Sequence, residues 1–146
     1  MERDLLHPHR LVSMQNSWEQ KSLTNLKEVF KLLKKLKAKP ALKSFLIKFF
    51  NNSIFLPDIC HCRFSHDENI DSFHLIICES LNTLVSLQQR KNWFKKPNSI
   101  TISYFLFAFY KALLKKYFEN EEVDIMQVKE TAHKEIRRHE QNFLKA

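Results

Sequence analysis

Hydrophobic residues recur at helical spacing in four stretches of the chain and run together in a fifth. Leu23, Leu26, Phe30, Leu33 and Leu36, with Val29 beside them, form one stripe of an amphipathic helix, and Lys27, Lys31, Lys34 and Lys35 fall away from it. Ser17-x-x-Gln20 is a capping box that opens this helix. Pro40 ends it and can open the next, because a proline is tolerated in the first turn. Leu42, Phe45, Leu46 and Phe49 form the second stripe, so a helical hairpin with basic outer faces is predicted. Ser65-x-x-Glu68 is another capping box, followed by Ile70, Phe73, Ile77, Leu81, Leu84 and Leu87. These predict a third helix that ends near Arg90 to Asn92, with Trp93 to Pro97 as a linker whose aromatics seal the core. Asn120-Glu121-Glu122 puts acids at the start of a last helix, as the dipole prefers. Its stripe is Ile125, Val128, Ala132, Ile136, His139 and Phe143.

The fifth stretch, Ile100–Phe118, organises the others. No charge occurs from Pro97 to Tyr110, and a helix that is apolar all round has to be enclosed by other elements. Asn98 or Ser99 can cap it, Lys111, Lys115 and Lys116 suit its C-terminal half, and Asn120 suits a left-handed stop. The alternation of Ile100, Ile102 and Tyr104 with Thr101 and Ser103 is the pattern of a strand near Ile100–Phe107. The helix formers from Lys111 onward favour a helix instead. The uncharged run of 14 residues is short of the roughly 20 that a membrane span needs. The fold expected is all-α: about five helices in one domain around Ile100–Phe118. Residues 1–16 form an N-terminal arm and 17–146 a single helical domain.

Composition changes this picture mainly by exclusion. The chain has 146 residues, 44% of them hydrophobic, with 13 phenylalanines, enough for a real core. It has no glycine, so Gly-rich phosphate loops, the dinucleotide fingerprint and the nucleophile elbow are absent in their usual form. Left-handed positions then fall to asparagine, and Asn51-Asn52, Asn92 and Asn120 stand where helices are expected to stop. Glu2 and Asp4 occupy the place of a secretory n-region, and no apolar h-region follows. The expected setting is intracellular, cytoplasmic or inside a host cell, with Cys60, Cys62 and Cys78 reduced.

Cys60, Cys62 and His66, with His74 and Cys78 one helical turn apart, are the candidate metal ligands, since zinc takes thiolate and imidazole. The tight Cys-x-Cys spacing and the absence of a second CxxC or HxxxH weigh against zinc, so no cofactor is expected. His7-Pro8-His9 belongs to the arm. Glu130-x-x-His133 matches the di-iron bundle motif and Asp71-x-x-His74 nearly does, but the central helix offers no acid before Glu119. His66-Asp67 and the His74–Cys78 pair have no third catalytic partner in the sequence, and no catalytic residue is assigned.

Charge is more informative. Lys21–Phe50 holds nine lysines, one acid (Glu28) and no arginine, a local charge of +8. The rest of the chain carries 15 bases and 15 acids. The hairpin therefore carries the whole formal charge, and Lys27, Lys31, Lys34, Lys35, Lys39 and Lys43 are its candidate partner-binding basic face. Three partners suit it. An acidic protein surface comes first, nucleic acid second through counterion release, and an anionic membrane surface third. Without arginine, guanine readout is weak, and the phenylalanines face the core rather than a base. The function expected is a non-enzymatic interaction protein, an adaptor or pathogen-effector-like helical domain. The alternatives are a non-specific nucleic-acid-binding protein and a small protein with a structural zinc. A solvated lysine face that only keeps the chain in solution is the plain rival to all three.

Overall fold

Six α-helices and no strand occupy the described residues, which are 26–51, 54 and 74–144 of this computed structural model. They are α1 (Leu26–Lys35), α2 (Pro40–Phe50), α3 (His74–Ile77), α4 (Leu87–Lys95), α5 (Ile100–Glu119) and α6 (Ile125–His139). A 3₁₀ turn lies at Glu79–Leu81 and a π turn at Glu140–Leu144. The all-α bundle is as the sequence predicts. The expected arm at 1–16 and the capping boxes at Ser17 and Ser65 lie outside the described residues.

The hairpin forms with Pro40 in the first turn of α2, where its missing N–H leaves no helical bond unmade. α1 buries Leu26, Val29, Phe30 and Leu33 and packs chiefly on α2. α2 in turn packs on α5, where Phe45 stacks on Phe107 with ring centres 4.9 Å apart and meets Tyr110 at 5.3 Å. The main packing of the first helix is thus on the second, and that of the second on the central helix.

The stretch from Ile100 is helical, not a strand. Ser99 accepts the Ile102 N–H at 3.2 Å and fixes the start. Asn120 takes the left-handed conformation at φ 56° and ends it, with its N–H on the Lys116 carbonyl. Among the described residues it is the only asparagine with positive φ. Asn51 ends α2 at φ −90° and Asn92 lies inside α4. The enclosure is less complete than the sequence implies. Tyr104, Phe105, Leu106, Ala108, Phe109 and Leu113 are buried, but Ile102, Phe107 and Tyr110 are only half-buried, and Tyr117 and Phe118 are 50% and 69% exposed. α2 and α6 cover two sides of the helix, and its last turn runs past the core.

The expected continuous third helix is broken. α3 stops at Ile77, Cys78 turns extended at ψ 123°, and α4 restarts at Leu87. Two local interactions set the break. Ser86 and Gln89 form a reciprocal capping box, so the chain has a strong start signal in mid-stripe. Arg90, completely buried, sends its guanidinium back into the turn. Nε donates to the Ile76 carbonyl at 2.7 Å, Nη2 to the Cys78 carbonyl and to Asn82 Oδ1 at 3.0 Å each, and Nη1 to the Val85 carbonyl. The helix stops here, and Arg90 supplies donors to the carbonyls it leaves open, with the Cys78 carbonyl also accepting the Leu81 N–H at 3.2 Å. Burial pushes the guanidinium pKa down, and nearby Cys78 opposes this.

Trp93 and Phe94 are core, not linker. With Phe49 and Phe50 they form a four-ring cluster: Phe50 stacks on Phe94 at 5.3 Å, and Phe49 meets Phe50 edge-on at 5.0 Å. The indole N–H of Trp93 donates to Ser103 Oγ at 3.0 Å, and that hydroxyl donates to the Ser99 carbonyl at 2.8 Å. The junction between α4 and α5 is therefore tied to the core through side chains on both sides.

α6 makes the most extensive packing on α5, burying Val128 and Ala132. Its cap is Asp124, which accepts the Met126 and Gln127 N–H groups at 3.0 and 3.4 Å; Glu121 and Glu122 precede the helix instead of starting it. Among the described residues no helix is long and apolar enough to cross a membrane.

Candidate interaction surface

The six lysines singled out from the sequence divide into two sets, and Lys37 and Lys48 are exposed elsewhere on the hairpin. Lys27, Lys31, Lys34 and Lys35 are all exposed on α1. At 100° per residue they fall within one sector of the helix, opposite the buried stripe. Among the described residues only Lys31 of the four has a carboxylate near it, Glu28 at 3.9 Å, and both side chains are so exposed that the pair is screened. Lys39 and Lys43 are different. Lys43 is half-buried and its ammonium donates to the Lys34 carbonyl at 3.5 Å, covering an open carbonyl at the end of α1. Lys39, ahead of Pro40, is paired with Glu135 of α6 and lies 5.8 Å from the Tyr104 ring centre. Lys39 is thus held by α6 and Lys43 leans on the exposed end of α1, which leaves the α1 quartet as the cluster of lysines open on one helix face.

The Lys39–Glu135 pair belongs to a polar cluster that locks the hairpin connection to α6. Glu135 also accepts from Arg138 at 3.0 Å. The Lys39 hydrogen bond, against the opposing effect of burial, holds the Glu135 carboxyl below its usual range. Burial, and then the charge of Glu135, raise the Tyr104 phenol. Lys111, whose ammonium sits 4.4 Å over the Phe107 ring, is pushed down by burial and by Lys39. Further along α6, His139 is buried against Phe143, ring centres 4.9 Å apart, and burial lowers its pKa while Glu140 opposes.

These shifts make the fold acid-sensitive in two steps. Below His139's usual value of 6.5 the unfolded chain takes up a proton that the folded chain resists, so stability falls as pH drops from there to the lowered folded value. Glu135 adds stability above its usual 4.5, and this is lost as pH falls through its lowered folded value. Chemical denaturation across pH is expected to show both steps. His139→Phe should flatten the upper one and Glu135→Gln the lower. A stability curve unchanged by either variant would contradict the assignment.

The open basic face has a second wall. A groove of about 500 Å³ runs between α1 and the α4–α5 junction, with Lys31 and Lys35 on one side, Lys95 and Lys96 on the other, and Val29, Leu32 and Pro97 between them. Glu28 is its one acid. Lys95 and Lys96 are exposed while Pro97 is buried. The junction is fixed by the Lys96 N–H on the Asn92 carbonyl at 3.2 Å and the Asn98 N–H on the Lys96 carbonyl at 2.8 Å. Sequence reasoning places these two lysines in a linker and misses them. The Lys95-Lys96-Pro97 run is visible in the sequence, but nothing in its spacing says that it faces α1. A second cavity, of about 250 Å³ between α5 and α6, sets Lys111 and Lys115 against Glu121, Glu122 and Asp124. Its charges nearly balance, Lys116 lies 3.8 Å from Glu122, and Asp124 is occupied as a cap.

Of the metal candidates, Cys60, Cys62 and His66 lie outside the described residues. His74 and Cys78 are both buried beside Arg90's turn, and the Cys78 N–H donates to the His74 carbonyl at 2.9 Å. Glu130 and His133 are exposed, the His133 ring edge-on to Phe105 at 5.5 Å. No group of His, Cys, Asp and Glu among the described residues is placed to hold a metal ion. Comparison with protein-family models, with curated proteins and with solved structures finds no match for the chain.

Proposed function

We propose that this chain is a non-enzymatic interaction protein that receives an acidic protein partner on the basic face of α1. The observation that supports this reading is the arrangement of Lys27, Lys31, Lys34 and Lys35. All four are exposed on one sector of one helix, with a single screened acid among them, while Lys39 is held by α6 and Lys43 leans on the end of α1. Such a field steers an acidic partner toward the surface and disfavours basic ones. The face carries no arginine and no aromatic ring, which favours carboxylates over bases.

Charge reversal tests the reading. Replacing Lys27, Lys31, Lys34 and Lys35 by Glu removes no buried contact, since all four are exposed. Lys34 and Lys35 stand in the last turn of α1, where an anion opposes the dipole. The expected cost there is about 1–2 kcal/mol in total, and the variant stays folded. It is expected to lose an acidic protein partner captured by the parent chain. Pull-downs should run beside duplex DNA and anionic vesicles across a salt series. Retention of every interaction by the variant would reduce the lysines to a solvated face. A steep log-linear salt dependence confined to DNA would turn the function to nucleic acid.

A further inference from the structure

We propose that the groove between α1 and the α4–α5 junction is a docking site for a short acidic segment of another protein, one that carries apolar residues among its carboxylates. This inference rests on the reading of α1 as a binding face and names where on it, and to what, the partner binds.

Charge complementarity comes first. Lys31 and Lys35 face Lys95 and Lys96 across the groove, and Glu28, its one acid, already lies beside Lys31. Two walls from distant parts of the sequence thus converge four cations on one concave space. Lysine supplies a point charge on a flexible stem, which fits carboxylates at varied positions better than it fits the fixed geometry of bidentate recognition. The floor comes second. Leu32 is half-buried, and Val29 and Pro97 are buried beneath the lysine stems. An acid-only chain would leave this apolar floor uncovered, so the occupant should place an apolar side chain there. The volume, about 500 Å³, accommodates a few side chains, not a folded domain. Other anionic partners fit less well. A bilayer is flat and reaches the rim lysines without the floor. A nucleic acid strand finds no ring to stack on and no arginine for its phosphates among the lining residues. Rigidity is the last support: the Lys95–Lys96 wall is held by the Trp93–Ser103 bond and by buried Pro97, so the groove exists before the partner arrives.

The test uses the full chain and a fluorescent synthetic peptide with leucines at i and i+4 between glutamates. Comparison probes are a glutamate-only peptide, an oligothymidine strand and phosphatidylserine vesicles. Three double or single variants report on the groove and one on its surroundings. Lys31→Glu with Lys35→Glu reverses one wall, Lys95→Glu with Lys96→Glu the other, and Leu32→Asp alters the floor. Lys27→Glu with Lys34→Glu alters the same helix outside the groove. The peptide is expected to bind the parent chain. Each wall variant should weaken it at least about tenfold, and the variant of the α1 face outside the groove by a clearly smaller factor. Leu32→Asp should erase the preference for the leucine-bearing peptide over glutamate alone. Helical circular dichroism of each variant should match the parent, and denaturation midpoints identify any that are merely unfolded. If the outside variant abolishes binding while Lys95→Glu with Lys96→Glu leaves it intact, the groove is wrong and the basic α1 face stands. If no variant matters, or the peptide does not bind, both fail. Tighter binding of oligothymidine or vesicles, lost in the wall variants, would overturn the acidic-protein occupant.

Discussion

Arg90→Met is expected to destabilise the fold by about 2–5 kcal/mol, read as a shift in the denaturation midpoint with little change in slope. Methionine keeps most of the apolar stem, so the loss isolates the guanidinium. Four acceptors lose the guanidinium: the carbonyls of Ile76 and Val85, the Cys78 carbonyl, which keeps the Leu81 N–H at 3.2 Å, and the amide oxygen of exposed Asn82. An acceptor left unpaired in a buried site costs about 1–3 kcal/mol, and the three carbonyls belong to the backbone, so no side-chain change replaces them. One term opposes this. Burying a charge without a carboxylate partner is itself costly, and methionine relieves that. Relief is partial, because the site is already lined by oxygens that accept from the guanidinium. Arg90→Lys sharpens the test. A lysine keeps the charge, but its three donors radiate from one atom and cannot reach acceptors spread around a fork. It is expected to recover less than half of the loss. A cost below about 1.5 kcal/mol for Arg90→Met would show that the turn is held by packing alone. Hydrogen exchange should also localise the damage, with α3 and α4 opening before α5 and α6.

The same residue shows where sequence reasoning reached and where it stopped. Periodicity located α1, α2, α5 and α6, because each has a stripe and a punctuating residue whose local chemistry decides the boundary: Pro40, Ser99 and Asn120 do what their types predict. It joined α3 to α4 because Ile77, Leu81, Leu84 and Leu87 continue the stripe across the break. The stripe holds only in part: Leu81 is buried in the turn, but Leu84 is half-buried, Leu87 is 36% exposed, and Val85, off the stripe, is buried instead. The signal for the break was local and legible, the Ser86-x-x-Gln89 capping box, but it competed with a longer apolar pattern. The burial of Arg90 was not legible at all, since its acceptors are backbone carbonyls and every sequence has those. At the candidate site the outcome is similar. Helical phase alone places Lys27, Lys31, Lys34 and Lys35 together. It cannot say that Lys39 meets Glu135 across 96 positions, or that Lys95 and Lys96 close the far side of a groove, because those are consequences of how helices pack.

Phe50→Ala is expected to cost about 3–5 kcal/mol and, at a smaller scale, to loosen the wall that carries Lys95 and Lys96. Phe50 is completely buried among Phe49 at 5.0 Å, Trp93 at 5.4 Å and Phe94 at 5.3 Å. Removing the ring loses its transfer energy and leaves a cavity that three rings on two helices would have to close. The ring–ring preferences are worth about 0.5–1.5 kcal/mol per pair beyond burial, but they are already contained in the measured cost of such deletions and are not added again. Phe50→Leu retains most of the volume and should cost less than about 1.5 kcal/mol. Met126→Ala, at a side chain 62% exposed, is the matched control and should stay within about 0.5 kcal/mol. The consequence for the groove follows from geometry. Trp93 packs on Phe50 and also donates to Ser103, so the last turn of α4 is positioned from both ends. With Phe50 gone, Trp93 keeps the hydrogen bond and its ring contact with Phe49 but loses a ring partner. Binding of an acidic peptide to folded Phe50→Ala should then weaken through a faster dissociation rate, since the charges remain and steering is unchanged. A stability loss below about 1.5 kcal/mol would mean that the four rings are not the anchor of this junction. An unchanged dissociation rate would mean that the Lys95–Lys96 wall is held by Pro97 and the Lys96–Asn92 bond instead.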